Sequence, residues 1–213
     1  MAGDRLIATS GEYRAAVEIR RSRFIATVAR ASTEPDARAV IDRIRTEHWQ
    51  ASHNCSAWRI GEGGRFQRSS DDGEPSGTAG IPILEVLKRR DVTDVVAVVT
   101  RYFGGIMLAA GGLIRAYGQA VSTVLDEVGI VERRPLLVVA VQASHQDAGR
   151  LDHALRTAKY ELGDVSYAEA VTFELYLTDD ELPGFTAWLA ETTGGRSVPE
   201  VVGTRFVEVP VDE

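Results

Sequence analysis

The chain has 213 residues, of which 44% are hydrophobic and 26% charged; this is globular composition and excludes a disordered or fibrous chain. Its formal charge of −7 argues against nonspecific nucleic-acid binding by the chain as a whole. The longest apolar run, Leu136 to Val141, is far short of the about 20 residues a membrane span needs.

A single cysteine, Cys55, excludes an internal disulfide and any multi-cysteine zinc site. Met1 to Tyr13 lack the apolar centre of a secretion signal, so the expected location is the cytoplasm. Charge is uneven: 19 basic and 17 acidic residues precede Pro135, and 5 and 14 follow from it, for net charges of +2 and −9. The asymmetry predicts two modules, 1–134 and 135–213, divided at Arg133-Arg134-Pro135.

In chain order, Val17 to Arg30 reads as a bent strand or strand pair with Arg20, Arg21, Arg23 and Arg30 set among apolar residues. Thr33 and Asp36 make a capping box for a helix over Glu34 to His48, with Ala37, Val40, Ile41 and Ile44 at helical spacing. His53 to Ile60 and Arg65 to Ser69 read as strands joined around Gly61, Gly63 and Gly64. A polar loop, Asp71 to Gly80, leads into a helix marked by Ile81, Leu84 and Leu87. Val92 to Thr100 contains Val95-Val96-Ala97-Val98-Val99, the pattern of a strand buried on both faces. A glycine-rich segment, Arg101 to Gly112, precedes the helical stripe Leu113, Tyr117, Val121, Val124 and Val128.

The second module reads as strand Leu136 to Ala143, a helix capped by Ser144 and Asp147 and ended by Gly163, strands Val165 to Tyr167 and Val171 to Leu177, a helix from Thr178 and Glu181 to Gly194-Gly195, and strand Val201 to Val209. That order, β-α-β-β-α-β, is the ferredoxin-like split pattern.

Two segments can carry chemistry. In Asp71-Asp72-Gly73-Glu74-Pro75-Ser76-Gly77-Thr78, the carboxylates can hold a hard cation, with Asp71 and Asp72 the metal candidates; alternatively Ser76 and Thr78 hold an anion, or the loop only bonds its own backbone. In Arg101-Tyr102-Phe103-Gly104-Gly105 and Gly111-Gly112-Leu113-Ile114-Arg115, backbone at Gly104, Gly105, Gly111 and Gly112 can approach a ligand, and Arg101 and Arg115 suit phosphate or carboxylate. Alternatively the glycines permit close packing and Arg101 pairs with Asp71 or Asp72. Cys55 and His53 share one side of a strand, as a thiolate–base pair or as core. No nucleophile elbow, zinc helix or P-loop occurs.

On these segments, with Ile81-Pro82-Ile83-Leu84, Val98-Val99-Thr100, Arg23-Phe24-Ile25-Ala26 and His53-Asn54-Cys55, the chain resembles the YigZ/IMPACT family over about residues 15 to 130. One departure is visible: the family's Lys-Leu-Gly after the paired glycines is Met107-Leu108-Ala109 here, which removes a basic residue. The resemblance implies an α+β fold, with an N-terminal domain of the ribosomal-protein and elongation factor G domain-four type and a ferredoxin-like C-terminal domain similar to elongation factor G domain five. It also implies kinship with eukaryotic translation regulators, whose partner binding uses a further domain that has no room before residue 15.

The resulting expectation is a translation-associated regulator or adaptor that binds RNA, the ribosome or a translation-control protein through its N-terminal domain, with no cofactor, no catalytic residue and no membrane. Arg20, Arg21, Arg23 and Arg30, extended by Arg59, Arg65 and Arg68, are the candidate nucleic-acid surface. The alternative is an enzyme or binder for a small anion, with a metal on Asp71, Asp72 and Glu74 and a phosphate clamp at Arg101 and Arg115.

Overall fold

A computed structural model describes residues 4–158 and 160–211. It divides into two units, one of residues 1–133 with 208–213, the other of residues 134–207.

In the first unit, β2 (Glu12–Ile19), β3 (Ser22–Arg30), β6 (Val95–Tyr102), β4 (His53–Ile60) and β5 (Phe66–Ser70) form an antiparallel sheet in the order β2-β3-β6-β4-β5. The strand pair read at residues 17–30 is thus a hairpin, turned by Arg20 and Arg21 at φ 46° and 64°.

Alternation along the central strands sends residues to opposite faces. Phe24, Ala26, Cys55, Ala57, Ala97 and Val99 pack against α2 (Gly80–Arg89) and α3 (Ala110–Val128). Trp58, Ile60, Val96 and Val98 pack against Ala37 and Ile44 of α1 (Glu34–Glu47). The predicted two-face burial of residues 95–99 follows from this sandwich of helix, sheet and helix. The α1 capping box is present, with Thr33 and Asp36 exchanging side chain and backbone bonds.

A short strand β1 (Arg5–Ile7) pairs with Ile130–Glu132 at the start of β7 (Ile130–Ala143). Glu208 and Val211 also belong to this unit. Arg30 makes a bidentate pair with Glu208 at 2.6 and 2.7 Å, and the Val211 N–H donates to the Ile130 carbonyl at 3.1 Å.

In the second unit, Leu137–Ala143 of β7, α4 (His145–Thr157), β8 (Glu161–Tyr167), β9 (Val171–Leu177), α5 (Leu182–Thr193) and residues 199–207 of β10 (Pro199–Pro210) follow the β-α-β-β-α-β order. The strand order is β10-β7-β9-β8, the ferredoxin-like arrangement. Val139, Val141, Phe173 and Leu175 face Leu151, Leu155, Phe185 and Leu189 of the two helices.

One expected boundary is corrected. Gly163 does not end α4, which stops at Thr157; it lies inside β8, where a Cβ would fall 2.3 Å from the Tyr176 hydroxyl. The absent side chain makes room for the facing tyrosine. Among the described residues no helix is long and apolar enough to cross a membrane.

Candidate functional site

The two chemistry-bearing segments meet at Glu74 and Arg101. Arg101 stands at the end of β6 because that strand enters the glycine corner there. Its Nη1 donates to Glu74 Oε1 at 2.6 Å, and both side chains are almost wholly buried. The Tyr117 hydroxyl, from the buried face of α3, donates to the same oxygen at 2.7 Å. Burial, more than its neighbours Cys55 and Glu74, drives the Tyr117 pKa far upward, so it stays a phenol.

Cys55 lies beneath this group, with Sγ 3.0 Å from the Asp71 carbonyl and 3.3 Å from the Tyr117 hydroxyl. Burial pushes its thiol up to about 12, against the lowering effect of the Tyr117 bond and with the help of Glu74, Asp72 and Asp71. A thiol held protonated is no nucleophile. His53 does not serve it: Nδ1 lies 2.8 Å from the Asp72 carbonyl. A carbonyl only accepts, so Nδ1 carries the proton and Nε2 faces Glu74 at 3.8 Å.

The other loop residues are engaged locally. Asp71 accepts from the N–H groups of Gly77, Ala79 and Gly80 at 2.8–3.0 Å and so caps α2 from nine residues upstream. Burial raises its pKa, but these three donors together outweigh it and hold the carboxyl below its usual range. Asp72 accepts from Arg45 at 2.7 Å and from the Asn54 N–H at 2.6 Å. Thr78 donates to the Pro75 carbonyl at 2.6 Å, and Ser76 is exposed. Among the described residues no group of three or more His, Cys, Asp or Glu is placed to hold a metal ion.

Around Glu74 and Arg101 opens a cleft of about 470 Å³, walled by Pro75, Phe103, Met107, Leu108 and Leu113, with His53 at its edge. Beyond Leu108 lies a second hollow of about 250 Å³, lined by Arg20, Gly112 and Arg115. Arg115 is therefore near Arg101 in sequence but opens onto the neighbouring hollow. Gly104 joins the two halves: its N–H donates to Ser22 Oγ at 3.3 Å, and a Cβ there would sit 1.9 Å from the Arg21 carbonyl oxygen. Gly105 has φ +84°, and Gly111 lies with Gly112 in the first turn of α3.

The arginines divide. Arg20, Arg21, Arg23 and Arg115 are exposed, and their side chains carry no hydrogen bond or ion pair among the described residues. Arg30 is tied to Glu208 and the Ile7 carbonyl. Arg59 is buried and donates to the carbonyls of Leu87, Val92 and Gly63, so it is a staple rather than a surface cation. Arg65 lies over the Phe66 ring, and Arg68 is 3.4 Å from Glu34.

Sequence reading placed Tyr117 only in the apolar stripe of α3 and did not foresee its bond to Glu74. The signal for Tyr117 was one hydroxyl in an otherwise aliphatic stripe, which must find a partner once buried.

The Impact N-terminal domain matches residues 20–125, a span that begins at the Arg20-Arg21 turn and takes in the cleft and all of the second hollow but Ile19. A domain of unknown function, DUF1949, matches residues 141–196. The IMPACT family member YvyE of Bacillus subtilis is 47% identical over 188 residues, covering 88% of this chain and 86% of its own. The IMPACT family member YigZ of Escherichia coli is 34% identical over 180 residues, covering 84% and 88%. A crystal structure described as that of a hypothetical protein is 30% identical, covers 95% of this chain and 98% of its own, and superposes with a TM-score of 0.59. With relatives this similar along most of both chains, and with the polar cluster inside the matched span, the chain belongs to the IMPACT family.

Proposed function

We propose that the protein acts in translation control as a binding module, its first unit contacting RNA, the ribosome or a translation-control protein. One observation carries this reading: the groups able to do chemistry are consumed by internal bonds, whereas Arg20, Arg21, Arg23 and Arg115 face solvent without partners among the described residues. Family membership supports the translation link, since the resemblance implies kinship with eukaryotic translation regulators. The small-anion alternative fits the geometry less well. Arg101 is already neutralised by Glu74, and Asp71 and Asp72 accept from N–H groups and Arg45, leaving no carboxylate pair turned toward a metal.

The test is co-sedimentation of the full chain with ribosomes across a salt series, with Arg20→Gln/Arg21→Gln as the variant. If phosphates are contacted, affinity falls steeply with salt and the variant flattens the slope by roughly one unit per contact. Absence of binding to ribosomes, ribosomal RNA and ribosomal proteins at low salt would overturn the RNA and ribosome readings and leave a translation-control protein as the partner.

A further inference from the structure

Leu108 is a shared wall between the apolar cleft and the arginine-lined hollow. The cleft side offers large apolar side chains to solvent: Met107 is 82% exposed and Phe103 50%. Exposure of this kind in one short loop marks a contact surface more often than a free one. An unbranched thioether adapts to varied apolar partners. The hollow side has the opposite chemistry. Arg20 and Arg115 line it, no carboxylate does, and neither arginine has a partner among the described residues.

The two sides are held in register. Gly104 lies against the Arg21 carbonyl, and Arg20 and Arg21 both keep positive φ, a conformation that side-chain-bearing residues adopt only where their surroundings impose it. The Arg20 backbone is thereby fixed at the turn, beside the hollow that its side chain lines with Leu108.

We propose that this bipartite groove is the docking site for an acidic protein segment that places one aromatic or aliphatic side chain in the cleft and carboxylates on Arg20 and Arg115. The inference rests on the binding-module reading and narrows it to a class of partner. Charge complementarity selects an acidic occupant: Arg20 and Arg115 line the hollow and no carboxylate does. Shape favours a side chain over a base, since Met107, Leu108, Leu113 and Pro75 make aliphatic walls and the Phe103 ring already lies 5.6 Å from the Arg101 guanidinium.

The experiment is selection of a random peptide phage library on the immobilised full chain, followed by fluorescence anisotropy with the selected peptides on wild type, Met107→Glu and Arg115→Gln. Both substitutions fall on exposed side chains, and unchanged thermal melts verify folding. The expected result is a consensus pairing an apolar residue with nearby Asp or Glu, and a loss of about tenfold in affinity on each variant. No enrichment, a basic consensus, binding indifferent to both substitutions, or displacement of the selected peptide by oligo(U) RNA would overturn the assignment. Ribosome co-sedimentation of Met107→Glu separates the two ideas. If it persists while the peptide prediction fails, the groove assignment falls and the translation role stands.

Discussion

Glu74 and Arg101 are a buried ion pair completed by a third donor, Tyr117. Breaking such a pair leaves an uncompensated charge out of water, at a cost of about 3–5 kcal/mol. Glu74→Leu is therefore expected to lose about that much in urea denaturation, and the double variant Glu74→Leu/Arg101→Met to recover most of it. Cys55 is expected to ignore a thiol reagent at pH 8 until the first unit opens, because a thiol pushed up to about 12 holds almost no thiolate there. Its labelling rate under native conditions then reports opening. For Asp71 the sign is that of a depressed carboxyl. Its contribution is present above the unfolded value near 3.9 and disappears as pH falls through the lower folded value. Acid titration of stability should show a shallower loss in Asp71→Asn than in wild type, with the variant less stable at neutral pH by about 1–3 kcal/mol.

The elements themselves were largely legible in the sequence, since their signals are local. Thr33 and Asp36 announced α1, and the run from Val95 to Val99 announced the central strand. What escaped was set by partners distant in sequence. Arg59 looks like any strand arginine until the carbonyls of Leu87 and Val92 are seen around it. Gly163 resembles a helix stop until Tyr176 is placed opposite. The sequence offered Arg101 a partner in Asp71 or Asp72; the partner is Glu74 instead, because Asp71 and Asp72 are taken by backbone N–H groups and Arg45, and side-chain pairing 27 residues apart depends on which strands are neighbours. Gly104 and Gly163, both close-packed, should respond differently to alanine. At Gly104 the obstacle is backbone, so Gly104→Ala is expected to cost about 3 kcal/mol or more; at Gly163 the obstacle is the far end of a side chain that can swing, and the cost should stay near 1 kcal/mol or less. Paired denaturant titrations decide this.

At the scale of the whole molecule, each unit has its own apolar core, yet the first is not built from contiguous chain. Glu208 and Val211 close one edge of it, through Arg30 and the Ile130 carbonyl. A chain shortened to end at Val207 keeps residues 134–207 intact but strips those bonds. Hydrogen exchange at the Arg133 amide, which donates to the Asp4 carbonyl in the same edge, is expected to accelerate about tenfold, the equivalent of roughly 1.4 kcal/mol. Unchanged protection would show that residues 208–211 are dispensable there.

This return of the chain bears on the order of events during synthesis. Residues 4–133 leave the translating machinery well before Glu208 has been added, so the N-terminal unit passes through a period in which Arg30 has the Ile7 carbonyl but not the Glu208 carboxylate, and the Ile130 carbonyl is open to water. Its final closure waits until residues 208–211 have been made, and a bulky insertion placed directly after residue 211 would crowd the seam they have to seal.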